Sequence, residues 1–193
     1  MHDLRSFLQH LSRHRQLLEI DAPVDPVLES TTLSLRALRE GGPALLMNKA
    51  VGSPHAMLGN LFGHRRRIEL AIGDPSLHEL GQLLASLKEP RWPSSLREAL
   101  HSWPELAQLA HVAPRQVDDA AFCEQVYEGD QVDLGRLPIQ HCWPEDAGRL
   151  ITFGLVITRG VHQRRQNLAI YRQQVIGRNR VIMRWLAHRG GAL

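Results

Sequence analysis

Residues 166–191, QNLAIYRQQVIGRNRVIMRWLAHRGG, constrain the fold more than any other stretch of the chain. Ile170, Val175 and Ile176 lie in one apolar run, Val181 and Ile182 in another, and Gly177-Arg178-Asn179-Arg180 separates them. β-Branched side chains favour extended backbone, and a tetrapeptide with Gly and Asn between two such runs is turn chemistry, so the stretch predicts a β-hairpin. Such a turn folds Asn167 back toward His188 and Arg189, and brings Tyr171 and Arg172 opposite residues 184–186. Side chains alternate along a strand, so loop parity decides which of them share a face. An even loop places Asn167, Tyr171, Arg184 and His188 together. An odd loop pairs Asn167 with Arg189 and sets Arg172 against Arg184. Both registers gather cationic groups in a small area. Like charges opposed on a sheet destabilise it unless an anion offsets them, and guanidinium forks bind phosphate bidentately. Gly190 and Gly191 add backbone that can approach an anion closely. Asn167 offers a neutral oxygen suited to a hard cation such as Mg²⁺ or Mn²⁺, and His188 a nitrogen acceptable to Mn²⁺. A plain basic surface hairpin would carry the same residues.

The chain before this stretch has a different character. Asp3 is a helix N-cap, followed by a buried stripe of Leu4, Phe7, Leu8 and Leu11 at helical spacing. His10 and His14 fall off that stripe without an acidic or Cys partner, which favours a solvated face over a metal pair. Leu18-Glu19-Ile20 predicts a short strand ended by Asp21-Ala22-Pro23. Asp25-Pro26 then reads as N-cap and first helical residue, with Leu28, Leu35 and Leu38 on the apolar face and Gly41-Gly42-Pro43 as the stop. Residues 44–47 and 56–58 predict buried strands. His64-Arg65-Arg66-Arg67 reads as a solvated first turn, since Ile68, Leu70 and Ala71 resume a helical face. Leu77, Leu80, Leu83, Leu84 and Leu87 predict a further helix capped by Ser76. Beyond Pro114 the runs become short and β-like: 123–127, then 150–158, then the hairpin. The proline-punctuated loop 137–146 separates the first two and holds His141 beside Cys142. Those two read as structural, because adjacent residues seldom point at one site. The expected organisation is an N-terminal α/β domain over residues 1–116 and a second, β-rich domain over 117–193, with fold class α/β (α+β).

Composition narrows the function classes. The 193 residues carry a formal net charge of +3 and 5% aromatics. The strongest basic run, at 64–67, has no interleaved aromatics, which argues against nucleic-acid binding. Two cysteines, Cys123 and Cys142, without CxxC spacing predict reduced thiols and a cytoplasmic setting. No apolar run reaches transmembrane length.

The residues also carry a resemblance. The chain resembles the N-terminal part of the UbiD family of carboxy-lyases, in the branch that decarboxylates 3-polyprenyl-4-hydroxybenzoate in ubiquinone biosynthesis. The shared motifs are DLRSFL at 3–8, PVDP at 23–26, GGPALL at 41–46, NLFG at 60–63, LLASLKEP at 83–90, CWPEDA at 142–147 and the whole of 166–193. The resemblance implies a prenylated flavin mononucleotide cofactor, a divalent metal (usually Mn²⁺) and non-oxidative loss of carboxylate. It leaves open an accompanying monovalent cation. The implied fold continues the α/β domain with the beginning of a split β-barrel of flavin-reductase type, incomplete here. Asn167 matches the metal-binding asparagine, and His188 resembles a metal-proximal histidine. Ile170, Tyr171 and Arg172 match one cofactor-contacting run, Arg184, Trp185 and Leu186 a second, and Arg189 and Gly190 a third. Arg172 also resembles the arginine paired with acidic residues beside the reacting carbon. The family's acidic metal ligand and acidic proton donor match nothing in these residues, and Glu145 and Asp146 do not fit those roles. The chain is therefore expected to be a fragment, inactive alone, of an enzyme that is a homo-oligomer at full length, takes a polyprenylated aromatic acid, binds no nucleic acid and works in the cytoplasm or at the inner face of the membrane. The alternative is a non-catalytic, shortened paralogue that binds flavin or serves assembly.

Overall fold

The computed structural model describes residues 3–73, 76–88, 124–160 and 166–186. It comprises two compact units, Met1–Gly73 with Glu128–Leu193, and Asp74–Tyr127. The elements mix helices and sheets, with no closed barrel among the described residues.

In the first unit, α1 (Leu4–Arg13) begins at a capping box in which the Asp3 carboxylate accepts the Ser6 N–H at 2.7 Å. Phe7 and Leu11 are buried, whereas Leu4, expected on the same stripe, is exposed. Strand β1 (Leu17–Val24) lies parallel to β2 (Ala44–Ala50), which pairs antiparallel with β3 (Met57–Gly59). The order β1-β2-β3 leaves β1 on an edge. The expected stop at Pro23 does not occur. An edge strand tolerates proline, and the register shift between Ile20 and Pro23 absorbs it.

Helix α2 (Glu29–Arg39) starts later than Asp25-Pro26 predicts. Val27 forms a parallel bridge to His141 instead: Leu28 N–H donates to the His141 carbonyl at 2.9 Å, and His141 N–H to the Pro26 carbonyl at 3.1 Å. Leu28 takes φ 63° as the chain turns from that bridge into the helix. Asp25 caps the Val27 N–H within this turn. The core-facing side of α2 is Ser30, Leu33 and Ala37, so Leu35 and Leu38 face away from the core rather than forming its stripe. The predicted stop is present. Gly41, at φ +63°, donates to the Leu38 carbonyl and Gly42 to that of Ala37, the paired bonds of a Schellman motif.

Ala44 and Met47 sit three apart on β2 and so face opposite ways. Ala44 joins Phe7, Leu11 and Leu70 in one core cluster, while Met47 joins Val24, Ala50 and Met57 in the other. Leu70 comes from α3 (Arg65–Ala71), whose N-cap is His64. Arg65 and Arg66 are solvated and pair with Glu69. Arg67 corrects the expectation of a wholly solvated turn: its side chain is fully buried.

The remainder of the first unit is antiparallel. Strand β4 (Leu150–Ile151) pairs with β7 (Gln173–Gly177), which pairs with β8 (Arg180–Met183). Separately, β5 (Leu155–Arg159) pairs with β6 (Gln166–Ile170). The single run expected over 150–158 is thus two strands in two sheets. Ser53 Oγ donates to the Arg136 carbonyl at 2.7 Å and Gln140 Nε2 to Ser30 Oγ at 2.9 Å, fixing this half to the first. Cys142 is a free thiol; Cys123 lies outside the described residues.

In the second unit α4 (Leu77–Lys88) starts at the predicted Ser76 cap, with reciprocal Ser76–Glu79 bonds. Residues 124–127 form no strand, contrary to the β-like pattern of 123–127. The rest of that segment lies outside the described residues.

Candidate cofactor site

The hairpin forms, but it is shorter than its sequence pattern suggests. β7 and β8 turn at Arg178-Asn179, and Gly177 faces Arg180. Arg178 is tied down by an ion pair to Asp133 at 3.5 Å, and its carbonyl accepts the Leu134 N–H at 2.7 Å. The register Gln173↔Met183, with a shift between Val175 and Gly177, resolves the parity. One step beyond the last pair, Arg172 lies in line with Arg184, and two steps beyond, Tyr171 with Trp185. The Tyr171 and Trp185 rings sit 5.0 Å apart at 53°, as that alignment requires. Among the described residues neither Arg172 nor Arg184 forms an ion pair, and both are exposed. Leu186 follows on the same exposed segment.

Asn167 corrects the hairpin expectation. It does not fold back along the β7–β8 turn, because the chain breaks at Tyr171-Arg172 and β6 pairs with β5 instead. Its cross-strand partner is Thr158, and Asn167 Nδ2 donates to Thr158 Oγ1 at 3.4 Å. Ile170 lies on the opposite face of that ribbon, beside Leu155. The two sheets meet where Tyr171 N–H donates to the Gly154 carbonyl at 3.2 Å. Ile170, Tyr171, Arg172, Arg184, Trp185 and Leu186 thus gather around one strand break, with Asn167 at the neighbouring ribbon. His188, Arg189 and Gly190 lie outside the described residues.

This donor set fits an anionic, metal-bound cofactor in two respects. Unpaired, aligned guanidinium groups suit a phosphate. With its amide nitrogen given to Thr158, the Asn167 Oδ1 remains available to a hard cation. Among the described residues no group of three or more His, Cys, Asp or Glu side chains assembles to hold a metal. Sequence reasoning missed Thr158 and Gly154. Both act through the β5–β6 register, which no local turn signal specifies.

Two family models match the chain. The 3-octaprenyl-4-hydroxybenzoate carboxy-lyase N-terminal domain matches residues 8–87, and the Rift-related domain of the same carboxy-lyase matches residues 115–193. Among solved structures, the chain is similar to an evolved dimeric form of the UbiD-class enzyme HmfF from Pelotomaculum thermopropionicum in complex with prFMN. Identity is 27% and the TM-score 0.76, over 96% of this chain and 39% of that one. It is also similar to apo 3,4-dihydroxybenzoic acid decarboxylase from Klebsiella pneumoniae, at 26% identity and TM-score 0.70, over 98% and 38%. Vanillic acid decarboxylase from Sedimentibacter hydroxybenzoicus, at 24% identity and TM-score 0.73 over 95% and 36%, shares the fold. The chain spans about two fifths of the length of these relatives. With both halves matched in order, the chain belongs to the UbiD family of carboxy-lyases.

Proposed function

We propose that these residues form one wall of the cofactor site of a prenylated-FMN-dependent, non-oxidative decarboxylase acting on 4-hydroxy-3-polyprenylbenzoate in ubiquinone biosynthesis. The carrying observation is the alignment of Arg172 with Arg184, neither in an ion pair among the described residues, beside the Tyr171–Trp185 contact. Loss of CO₂ from an aromatic acid leaves electron density on a ring carbon, and the prenylated flavin supplies the sink for it when bound. The chain's own residues bind and orient. Arg184, with Arg172, Arg189 and Gly190, would hold the phosphate. Asn167, joined by His188, would hold a Mn²⁺. Ile170, Tyr171, Trp185 and Leu186 flank the ring system. Arg172 also stands at the substrate carboxylate, where a fixed positive charge orients it. The acid that reprotonates the ring carbon and the acidic metal ligand come from polypeptide outside these 193 residues. The second β-rich domain, from residue 117, is the start of a split barrel, and the full enzyme is a cytoplasmic homo-oligomer.

The test is titration of FMN and Mn²⁺ against the 193-residue chain, followed by flavin fluorescence and manganese EPR, alongside CO₂ release with reconstituted cofactor. Saturable flavin binding is expected, weakened about tenfold or more by Arg184→Ala, and Asn167→Ala leaves only the six-line manganese spectrum of the free aqueous ion. No CO₂ is released by the chain alone. Flavin binding indifferent to Arg184 overturns the site, and turnover by the chain overturns the assignment of the proton donor.

A further inference from the structure

We infer that a groove running from Phe153 to Trp143 holds the isoprenoid chain of the substrate; this rests on the decarboxylase reading above and adds to it the place of the tail. Gly154 touches the proposed site directly, through its carbonyl and the Tyr171 N–H. The next residue toward the N-terminus, Phe153, lines a cleft of about 270 Å³ with Met57, Pro138, Ile139 and Ile151. Its ring lies 6.2 Å from that of Phe62. Phe62 in turn lines a second cleft of about 330 Å³ with Leu35, Leu38, Leu61 and Trp143. That aromatic pair links the two clefts, and the first adjoins Tyr171 through Gly154.

The lining is uncharged but mixed: Gln140 and Thr152 stand among the apolar side chains of the first cleft, and Thr31, Ser34 and Asn60 among those of the second. No ionisable side chain is among the described residues lining either cleft. Phe153, Trp143 and Phe62 nonetheless keep 62%, 54% and 42% of their surface exposed. Exposed aromatic surface of this extent marks a binding site rather than a core. α2 contributes to it because Ser30, Leu33 and Ala37 take the core-facing positions and leave Leu35 and Leu38 for the groove. Open, uncharged clefts with exposed aromatic rings suit a flexible hydrocarbon, which gains affinity only by leaving water. The two family descriptions that match the chain name an octaprenyl-substituted hydroxybenzoate, an aromatic acid with such a hydrocarbon attached. Its acid would sit at Arg172, with its tail leaving past Gly154 into the groove.

Calorimetric binding of 4-hydroxybenzoate, 3-farnesyl-4-hydroxybenzoate and farnesol to the 193-residue chain, below the concentrations at which the tailed compounds aggregate, tests this. Each buried methylene is worth roughly fourfold in affinity, so even a partly seated farnesyl group is expected to bind at least tenfold tighter than the untailed acid. Phe153→Ser and Trp143→Gln replace exposed rings and leave the fold intact by circular dichroism. Each is expected to reduce the gain from the tail about threefold to tenfold while flavin binding stays unchanged. A tail that adds no affinity, or a gain untouched by both variants, overturns the groove. Self-association that Phe153→Ser abolishes, without tail binding, also overturns it and makes the groove an interface between copies. The two readings fail separately. Farnesol binding sensitive to both variants, in a chain that binds no flavin, sinks the decarboxylase site and leaves the groove. Flavin binding without a gain from the tail does the reverse.

Discussion

Arg67 ties Gln16, Gly42, Asn60 and Leu61 to α3 through one buried side chain. Its guanidinium donates from Nε to the Leu61 carbonyl at 2.9 Å, from Nη1 to the Gly42 carbonyl at 2.9 Å and Gln16 Oε1 at 3.3 Å, and from Nη2 to the Asn60 carbonyl at 2.9 Å. None of these acceptors is a carboxylate, so a charge is buried against neutral dipoles, and burial lowers its pKa from the ordinary arginine value. Asn60 joins the same knot, its Nδ2 donating to the carbonyls of Gly42 and Pro43. Removing the guanidinium strands several carbonyls in a closed space, each costing about 1–3 kcal/mol. Arg67→Met is therefore expected to lower unfolding free energy by about 3–5 kcal/mol, read as a fall in urea midpoint. Arg67→Lys fares little better, because one ammonium cannot span acceptors set out for a planar fork. A loss below about 1 kcal/mol in Arg67→Met would show that water replaces the fork. The run His64-Arg65-Arg66-Arg67 does not reveal this residue, because three adjacent arginines look alike until the helix phase places one of them inward.

Helix ends were the most legible elements, since caps are local chemistry. The Asp3–Ser6 and Ser76–Glu79 boxes and the Gly41 stop all lie within a few residues of what they terminate. Gly41→Ala isolates one term, because a Cβ there meets nothing within 4 Å and only the left-handed backbone is penalised. A loss of about 1–2 kcal/mol is expected, and an unchanged melting midpoint would mean that the turn relaxes to another conformation. The carboxylates of Asp3 and Glu79 are both held below their ordinary values, chiefly by the backbone N–H of Ser6 and by that of Ser76 respectively. A depressed folded pKa gives stabilisation that is present above the unfolded value and disappears as pH falls through the folded one. Amide protection factors in the first turns of α1 and α4 should thus fall in that acid window, and Asp3→Asn should remove the pH dependence from α1 alone. Elements set by distant partners were not legible. α2 begins late because Val27 is claimed by His141, and Asn167 leaves the hairpin because β6 is claimed by β5. The aromatic and arginine alignment at the site was legible only as one of two parities. The bulge between Val175 and Gly177, which no turn residue announces, selects it.

At the scale of the whole molecule, the β5–β6 ribbon presents a face that nothing described here covers. Leu155 pairs with Ile170 and Ile157 with Leu168, so all four side chains fall on one face, each at least half exposed. The opposite face carries Val156, Thr158, Asn167 and Ala169, all half-buried. A two-stranded ribbon is marginal without a covered face, and a flat apolar patch with open edges invites pairing with another chain. The formal net charge of +3 over 193 residues gives little repulsion to oppose it. The 193-residue chain is therefore expected to self-associate as concentration rises and to bind an apolar dye such as ANS. Leu168→Lys places a charge at the centre of the patch without touching Asn167 on the other face. It should shift sedimentation toward monomer and weaken dye binding, while the manganese binding proposed for Asn167 persists. If Leu168→Lys sediments as the parent does, the association runs through another surface. If it instead abolishes manganese binding together with association, ribbon pairing is what holds Asn167 in place, and the cation site exists only where that apolar face is covered.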